Sequence, residues 1–402
     1  MTPRIPRSSK RFGERARLSV RLSVRLSALF PALALFGAAL TPAVAHASAA
    51  HCGDWSAWRA FVAHAMQADG RVFDASTPVQ QSTSEGQSYG MFFALVANDR
   101  ANFDRMLGWT RTNLAGGNFD DKSVRLPAWQ WGRRPDGSWG VLDANAASDA
   151  DLWMAYDLLQ AGRLWRAPEY TALGAALADE IARREVADLA GLGPMLLPGP
   201  QGFATGDVTR LNPSYLPLPV LRGLAHELRG GPWNALARNA QTMIAATSPH
   251  GFAPDWAAWR AGQFVVDRNS GDTGSYDAIR VYLWAGLANA ADPLARPWLD
   301  SVRGMAARVA QTGAPPERVA VTSGVGTGEA PPGYWGALAP YFAALGDQTG
   351  LALARARLAA PGDDTLVYYD RVLGLFGGGA VEGRYRFEAN GQLTPSWRGA
   401  CE

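Results

Sequence analysis

Apolar residues recur at helical spacing along most of the chain after residue 54, and loops rich in glycine, proline and aromatic residues separate these stretches. Continuous alternation of apolar and polar positions, the pattern of a half-buried strand, is hard to find. The pattern therefore predicts a mainly helical chain with about twelve helices. We expect them at Trp55–Gln67, Gly86–Ala97, Phe103–Asn113, Asp149–Ala161, Tyr170–Glu185, Pro217–Leu228, Trp233–Thr247, Ser275–Ala288, Leu299–Thr312, Gly336–Leu345, Ala352–Arg357 and near Tyr368–Leu375.

The spacing of these helices indicates how they pack. About 30 residues are available for each helix with its loop, which suits six helical hairpins closed into a ring better than a solenoid of short repeats. The sequence contains no convincing internal repeat. In a ring of alternating inner and outer helices, the inner helices run parallel and their N-termini meet at one end. Side chains far apart in the sequence can therefore converge there.

The first 47 residues have a different pattern. A long basic stretch from Arg4 to Arg25 runs into the apolar segment 28–40, which is too short to span a bilayer comfortably. The residues Ala45, His46 and Ala47 form the small-x-small pattern that signal peptidase accepts. We predict an export signal over residues 1–47 and a single domain over residues 48–402, periplasmic or secreted, with no membrane anchor after cleavage.

Removing this leader changes the interpretation of charge. The formal net charge of the whole chain is +2, but the leader holds eight basic residues and one acid, so the remainder is mildly acidic. Such a chain has no electrostatic reason to bind nucleic acid or an anionic membrane. A neutral substrate fits better.

Missing residue types exclude several chemistries. Lys122 is the only lysine after the leader, so Schiff-base and P-loop mechanisms have almost no candidate. The four histidines of this part, His51, His64, His226 and His250, are scattered, and only two cysteines are present. We therefore predict no metal site and no cofactor.

The two cysteines, Cys52 and Cys401, lie at opposite ends of the exported region. An oxidising compartment favours a disulfide between them, which would fasten the termini together. Two separate buried or reduced thiols are the alternative.

Three segments place acidic residues at predicted helix starts. They are Ser82–Gly90 with Glu85, Ala147–Asp151 with Asp149 and Asp151, and Ser275–Arg280 with Asp277. Convergence of such acids in one cleft is what general acid and base catalysis requires.

Each acid also has a purely structural interpretation. Ser82 and Glu85 fit a capping box, and acids in a first helical turn are stabilised by the helix dipole. Asp277 could instead form an i,i+3 pair with Arg280. The local pattern leaves both interpretations open.

Residues 86–90 also match the Gly-x-Ser-x-Gly elbow of α/β-hydrolases, with Ser88 as nucleophile and His226 or His250 as base. That motif requires a hydrophobic strand before the serine. Residues 80–85 are polar instead, and no alternation of strands and helices follows. The context thus argues against an esterase.

Aromatic residues are concentrated in the loops of a chain that has 15 tryptophans. Flat aromatic rings stack on the apolar faces of sugar rings, so such loops favour a carbohydrate cleft. The alternative is that most of these rings anchor the core or the loops. The loop aromatics include Trp129, Trp131, Tyr215, Trp256, Tyr334 and Trp335.

Three segments together carry a family resemblance. Ser84–Gly90, Ala147–Ala155 and Tyr276–Tyr282 resemble the signature segments of glycoside hydrolase family 8, and the similarity extends from about Trp55 to Trp397. The strongest likeness is to the periplasmic members that accompany bacterial cellulose synthase. The resemblance implies an all-α (α/α)6 barrel with an open cleft at one end. It also implies endo-1,4-β-glucanase (cellulase) activity with inversion, β-1,4-glucan as substrate and the cellulose synthase export complex as a partner.

The resemblance also implies roles for single residues. Glu85 becomes the proton donor and Asp277 the base, while Asp151 holds the sugar at the cleavage point, although such an acid is sometimes labelled a nucleophile. Asp157 departs from the small residue expected in that signature helix, and we expect it to face solvent. Further substrate contacts are expected from Asp149, Trp129, Trp131, Tyr215, Tyr276, Arg280 and Tyr334.

One condition applies to the predicted acid. A helix N-terminus stabilises a carboxylate, whereas a general acid must hold its proton near neutral pH. The surroundings of Glu85 must therefore oppose the helix dipole. The non-enzymatic alternative is a periplasmic glucan-binding or export-assisting protein that has the fold and the cleft without turnover.

Overall fold

The computed structural model describes residues 54–359 and 366–398. The predicted leader, its cleavage site, Cys52 and Cys401 lie outside these residues, and so does the predicted disulfide. Thirteen α-helices occur in the described part of the chain. They are α1 Ser56–Ala65, α2 Ser84–Val96, α3 Arg100–Asn113, α4 Ser148–Trp165, α5 Pro168–Arg184, α6 Leu218–Glu227, α7 Trp233–Thr247, α8 Ile279–Leu287, α9 Ala295–Ser301, α10 Gly304–Thr312, α11 Pro332–Leu345, α12 Gln348–Leu358 and α13 Tyr368–Val381.

Six of these helices form a closed inner ring. Helices α2, α4, α6, α8, α11 and α13 contact one another in this order, and α13 returns to α2. The others pack outside, with α3 on α2, α5 on α4, α7 on α6 and α12 on α11. Nearly every residue of α2 and α4 is buried, as expected for helices covered on all sides. The helices thus form the predicted (α/α)6 barrel.

Two helix predictions differ from the structure. The helix expected from Leu299 to Thr312 is split into α9 and α10, because the chain turns at Val302 and Arg303. After this turn, Gly304 donates its amide hydrogen to the carbonyl of Gly251 at 2.9 Å. The helix expected from Ser275 begins only at Ile279. The residues before it form a turn, which matters for the site.

The sequence pattern missed fourteen short strands that occur within residues 54–359 and 366–398. Each has two to five residues, too few for alternation to be visible, and they pair in five small antiparallel sheets. The strands are β1 Ser82–Thr83, β2 Gln130–Arg133, β3 Trp139–Asp143, β4 Val186–Leu189, β5 Gly193–Leu196, β6 Ala204–Thr205, β7 Val208–Leu211, β8 Ala257–Arg260, β9 Gln263–Val266, β10 Thr273–Gly274, β11 Arg318–Ala320, β12 Val325–Thr327, β13 Tyr385–Phe387 and β14 Leu393–Pro395. The chain is therefore a helical barrel with β-hairpins in its loops.

Large aromatic side chains fill the inside of the ring. Phe92 lies 5.0 Å from Trp153 and 5.3 Å from Phe376, and Trp284 lies 5.4 Å from both Trp153 and Phe376, as ring centroids. These rings come from α2, α4, α8 and α13, and each such pair contributes about 0.5–1.5 kcal/mol beyond the area it buries. The barrel is thus plugged, and a ligand can enter only at its ends. No helix in the part that the structure describes has the length and apolar character to cross a membrane.

Candidate active site

The N-terminal ends of four inner helices, α2, α8, α11 and α13, surround one open cleft. Its volume is about 430 Å³, and it contains Glu85 from α2, Arg280 from the start of α8 and Asp277 from the turn before α8. The rest of its wall comes from the segments before α2, before α8, before α11 and at the start of α13. These residues are Val72, Phe73, Asp74, Ser76, Gln81, Thr83, Tyr276, Pro331, Val367, Tyr368, Tyr369 and Asp370.

Glu85 lies in the first turn of α2, but it does not belong to a capping box. The N-cap is Thr83, whose hydroxyl oxygen accepts a hydrogen bond from the amide of Gly86 at 3.0 Å. Ser82 lies in β1 and accepts from Nε of Arg71 at 2.7 Å. The capping-box interpretation is therefore wrong, because the helix begins one residue later than that motif requires. The Glu85 carboxylate remains available to the cleft.

Arg280 connects the acidic residues of the site. Its side chain is 3% exposed, and its Nη1 contacts Glu85 and lies 3.4 Å from Oδ2 of Asp149. Its Nη2 donates to Oδ1 of Asp277 at 2.7 Å and to the hydroxyl of Ser214 at 3.1 Å. Four inner-helix starts, those of α2, α4, α6 and α8, are thus joined at one guanidinium. This contact network confirms that the N-termini meet at one end.

Three carboxylates share this single cation. Burial raises the pKa of Asp149, and the charge of Glu85 raises it further while Arg280 opposes the shift. Burial also raises the pKa of Asp277, again against the effect of Arg280. Because one guanidinium cannot balance three negative charges that are wholly or mostly buried, the cluster favours holding a proton. A site with both a protonated and an ionised carboxyl can supply an acid and a base.

Asp277 is held in the turn that precedes α8. Oδ1 of Asp255 accepts the amide hydrogens of Asp277 at 3.1 Å and of Ala278 at 2.8 Å, which fixes that turn. Asn212 donates to Oδ2 of Asp277 at 3.2 Å, while Arg280 holds the other oxygen. The predicted i,i+3 pair with Arg280 is present, yet 33% of the Asp277 side chain and 22% of that of Glu85 stay exposed. Pairing and access to the cleft thus coexist.

Tyrosines form the wall near Asp277. Tyr276 is exposed, and its ring contacts that of Tyr334 edge-on at 5.7 Å. The hydroxyl of Tyr369 donates to the carbonyl of Tyr276 at 2.6 Å. Tyr368 packs against the start of α2, where a Cβ added at Gly86 would lie 2.8 Å from its hydroxyl oxygen. The start of α13 therefore supports both halves of the cleft, which the sequence did not reveal.

Not every predicted site residue reaches the cleft. Asp151 is fully buried and faces the carboxyl of Glu185, and the described residues provide neither carboxyl with another hydrogen-bond partner. Tyr334 is also buried, and its hydroxyl donates to the carbonyl of Glu317 at 3.1 Å. Tyr215 is half-buried, with its ring 5.7 Å from the guanidinium carbon of Arg280.

The two predicted loop tryptophans lie beside the start of α2. Trp129 is half-buried, and its carbonyl accepts the amide hydrogen of Ser84 at 3.0 Å. Trp131 lies in β2, paired with Ser82 of β1. The hairpin formed by β2 and β3 thus supports the segment that carries Glu85.

One further expectation fails, and the esterase alternative, against which the sequence context argued, is excluded. Asp157 does not face solvent: it is fully buried without a hydrogen-bond partner among the described residues, and burial raises its pKa. The reason is that α4 belongs to the inner ring and has almost no solvent-facing side. Ser88 lies inside α2, fully buried, with its hydroxyl donating to the carbonyl of Glu85 at 2.9 Å. No nucleophile elbow is formed there.

Comparisons with known proteins agree with this geometry. The sequence model of the family described as "Glycosyl hydrolases family 8" matches residues 30–383. An endoglucanase of Xanthomonas axonopodis pv. citri (strain 306) is 50% identical over 364 residues, which cover 90% of this chain and 94% of the relative.

Solved structures agree as well. An endo-1,4-D-glucanase from Vibrio fischeri ES114 has a TM-score of 0.78 and 38% identity, covering 86% of this chain and all of that one. The endo-beta-1,4-glucanase CMCax from Acetobacter xylinum has a TM-score of 0.68 and 29% identity, over 81% of this chain and 96% of that one. The chain belongs to glycoside hydrolase family 8.

Proposed function

We propose that the protein is an endo-1,4-β-glucanase that hydrolyses internal bonds of β-1,4-glucan with inversion of the anomeric carbon. One observation carries the proposal: Glu85 and Asp277 both line one cleft, where each stays partly exposed, and both contact the guanidinium of Arg280. The endoglucanase relatives, similar over nearly their whole length, support the same activity.

Inversion assigns one carboxyl to each face of the sugar. Glu85 protonates the glycosidic oxygen, and Asp277 activates a water molecule on the opposite face of the ring. Asp277 suits this task because Arg280 and Asn212 fix its two oxygens in different directions. A raised pKa strengthens it as a base, while the contact with Arg280 keeps it ionised.

Glu85 must hold a proton when the substrate is bound. Asp149 places a third carboxylate on the same guanidinium, and burial together with the charge of Glu85 raises the pKa of Asp149. Asp149 is buried and does not line the cleft, whereas Glu85 does, so Glu85 is the one of these two carboxyls that can reach the glycosidic oxygen.

The test compares Glu85→Gln and Asp277→Asn with the wild type. Both variants should fold and bind cello-oligosaccharide, but reducing-end release from carboxymethylcellulose should fall by about 10³-fold, because each loses a proton-transfer group. Proton NMR of the wild-type reaction should show the α-anomer first. Near-wild-type turnover by either variant contradicts the assignment, and a first-formed β-anomer contradicts inversion.

The same assay separates an enzyme from a glucan-binding protein. A non-catalytic export-assisting component would bind the oligosaccharide yet release no reducing ends above the rate of Glu85→Gln. The partial exposure of both carboxyls in one cleft favours the enzyme.

The setting of the reaction is part of the proposal. We propose that residues 1–47 are removed on export, that residues 48–402 act as one domain in the periplasm or outside the cell, and that the protein works beside the cellulose synthase export complex. The basic-then-apolar leader with Ala45-His46-Ala47 supports export. Edman sequencing of protein from the periplasmic fraction should begin at Ser48.

A further inference from the structure

The β2–β3 hairpin carries two indole rings outside the catalytic cluster. The rings of Trp131 and Trp139 face each other across the hairpin, with centroids 5.3 Å apart and planes 17° apart. Trp139 is 42% exposed, and it is the only tryptophan among the exposed large hydrophobic residues in the described part of the chain. Leaving so much apolar ring surface in water is unfavourable. The exposure therefore calls for an explanation.

A buried cation fixes these rings. The guanidinium carbon of Arg71 lies 4.5 Å from the ring centroid of Trp131 and 4.6 Å from that of Trp139. Arg71 is itself held by the hydroxyl of Ser82 and the carbonyl of Gln80. Cation–π contacts from a buried and anchored arginine restrict the motion of both rings. The exposed indole is thus pre-organised, which lowers the entropy cost of binding.

This pair, which we call the Trp131–Trp139 platform, is continuous with the cleft. The guanidinium of Arg71 also lies 5.6 Å from the ring of Phe73, which lines the cleft. On the other side, Trp131 pairs with Ser82, next to the cleft residue Thr83. A chain that leaves the cleft past Phe73 therefore reaches the platform.

We propose that the Trp131–Trp139 platform is an additional glucan-binding site that holds the chain beyond the catalytic centre. The proposal rests on the proposed function, and its ligand is the apolar face of a pyranose ring. A flat, rigid indole beside the exposed polar residues Arg133, Asp136 and Ser138 matches a sugar, with one apolar face and hydroxyls at its edge. The surface area of one exposed indole is far below the roughly 800 Å² that each partner buries in a protein–protein interface.

The test uses Trp139→Ala, because Trp139 is exposed, whereas Trp131 also packs on Trp109 at 5.3 Å. We expect KM for barley β-glucan to rise roughly tenfold with kcat unchanged, since one stacking contact is lost. The loss should be smaller for cellotetraose, because a short chain presents fewer sugar units to the platform than a polymer does. Trp139→Phe should restore most of the KM.

The control is Trp165→Ala. Trp165 is a half-buried tryptophan 6.0 Å from the guanidinium carbon of Arg100, and it ends the 18-residue helix α4. It therefore lies about 27 Å along the helix from the cleft end. This variant should leave KM unchanged for both substrates.

Two outcomes overturn the platform: an unchanged KM for barley β-glucan in Trp139→Ala, or an equal loss on both substrates. Failure of the proposed function looks different, since the wild type would then hydrolyse neither substrate. In that case, affinity electrophoresis in gels containing barley β-glucan still tests whether the platform binds glucan. Retardation that Trp139→Ala weakens supports the platform, and equal retardation rejects it.

Discussion

Asp149 and Asp151 are two residues apart on α4, and both are deeply buried, yet their surroundings differ. Asp149 lies 3.4 Å from the guanidinium of Arg280, in the cluster that includes Glu85. Asp151 faces another acid, Glu185, and no guanidinium of the described residues forms a hydrogen bond with either carboxyl. Arg184 lowers the pKa of Glu185, but burial and Asp151 outweigh it. Residues i and i+2 of a helix point to different sides, so the two carboxyls cannot share one site.

The comparison shows that burial alone does not make a catalytic carboxyl. Burial raises the pKa of both acids, but only Asp149 is coupled through Arg280 to carboxyls that reach the cleft. The signature segment contains both acids, and sequence similarity alone does not show which of them faces the site. The structure favours Asp149 as the residue that acts on the cluster.

The largest effect is expected from removing the cation. Arg280→Met leaves three carboxylates uncompensated at the cleft, so kcat should fall by about 10³-fold, because the arrangement of acid and base depends on this guanidinium. The free energy of unfolding should also fall by about 3–5 kcal/mol at neutral pH, as when one partner of a buried ion pair is lost. Reducing-end assays and urea denaturation measure the two effects.

The matched control is Arg222→Met. Arg222 forms a bidentate pair with the buried Asp292, at 2.7 and 3.0 Å, outside the cleft. This variant should lose stability but keep its kcat. If Arg280→Met retains wild-type kcat, the cluster is not part of the catalytic machinery.

The framework of the fold was predictable, whereas the short strands were not. The inner helices α2 and α4 are long and rich in apolar residues, so the sequence pattern located them to within a few residues. A strand such as β1, with two residues, has no period to detect. Its position matters because it ends at Thr83, the N-cap of the helix that carries Glu85.

Part of the site could not be predicted from local sequence patterns either. Glu85, Asp277 and Arg280 come together as expected, because they begin inner helices or lie just before one. Asp255 and Asn212, which position Asp277, come from loops that only tertiary contacts bring there. Asp157 was expected at the surface because a charged residue in a helix normally faces solvent. No feature of the neighbouring sequence indicates that it is buried.

A direct test of the comparison replaces each acid with its amide. Asp149→Asn should lower kcat by about 10²-fold, because Arg280 loses one partner and shifts relative to Glu85. Asp151→Asn should keep more than about a tenth of kcat, since its carboxyl does not touch the cluster, and a tenth corresponds to about 1.4 kcal/mol. Equal losses in both variants would show that Asp151 also acts on the substrate, as the sequence resemblance implied.

The smallest effect concerns how stability depends on pH. Burial raises the pKa of Asp151 and of Glu185. The charge of Asp149 raises the pKa of Asp151 further, against the effect of a hydrogen bond with Glu185, and Asp151 raises the pKa of Glu185. In the unfolded chain both ionise near pH 4, whereas the folded chain retains protons above that pH. The folded state then binds more protons than the unfolded state, so the free energy of unfolding falls as pH rises from about 4 towards the folded pKa values.

Asp151→Asn should weaken this dependence. The amide does not titrate, and Glu185 loses its acidic neighbour, so the stability lost between pH 5 and pH 8 should shrink by about 1 kcal/mol. Urea denaturation at the two pH values measures the change. Asp120→Asn is the control, because hydrogen bonds from the amides of Lys122 and Ser123 lower the pKa of that exposed carboxyl, which is already ionised throughout this range. A pH dependence that Asp151→Asn leaves as steep as in the wild type would mean that the pair of Asp151 and Glu185 does not hold its proton above pH 5.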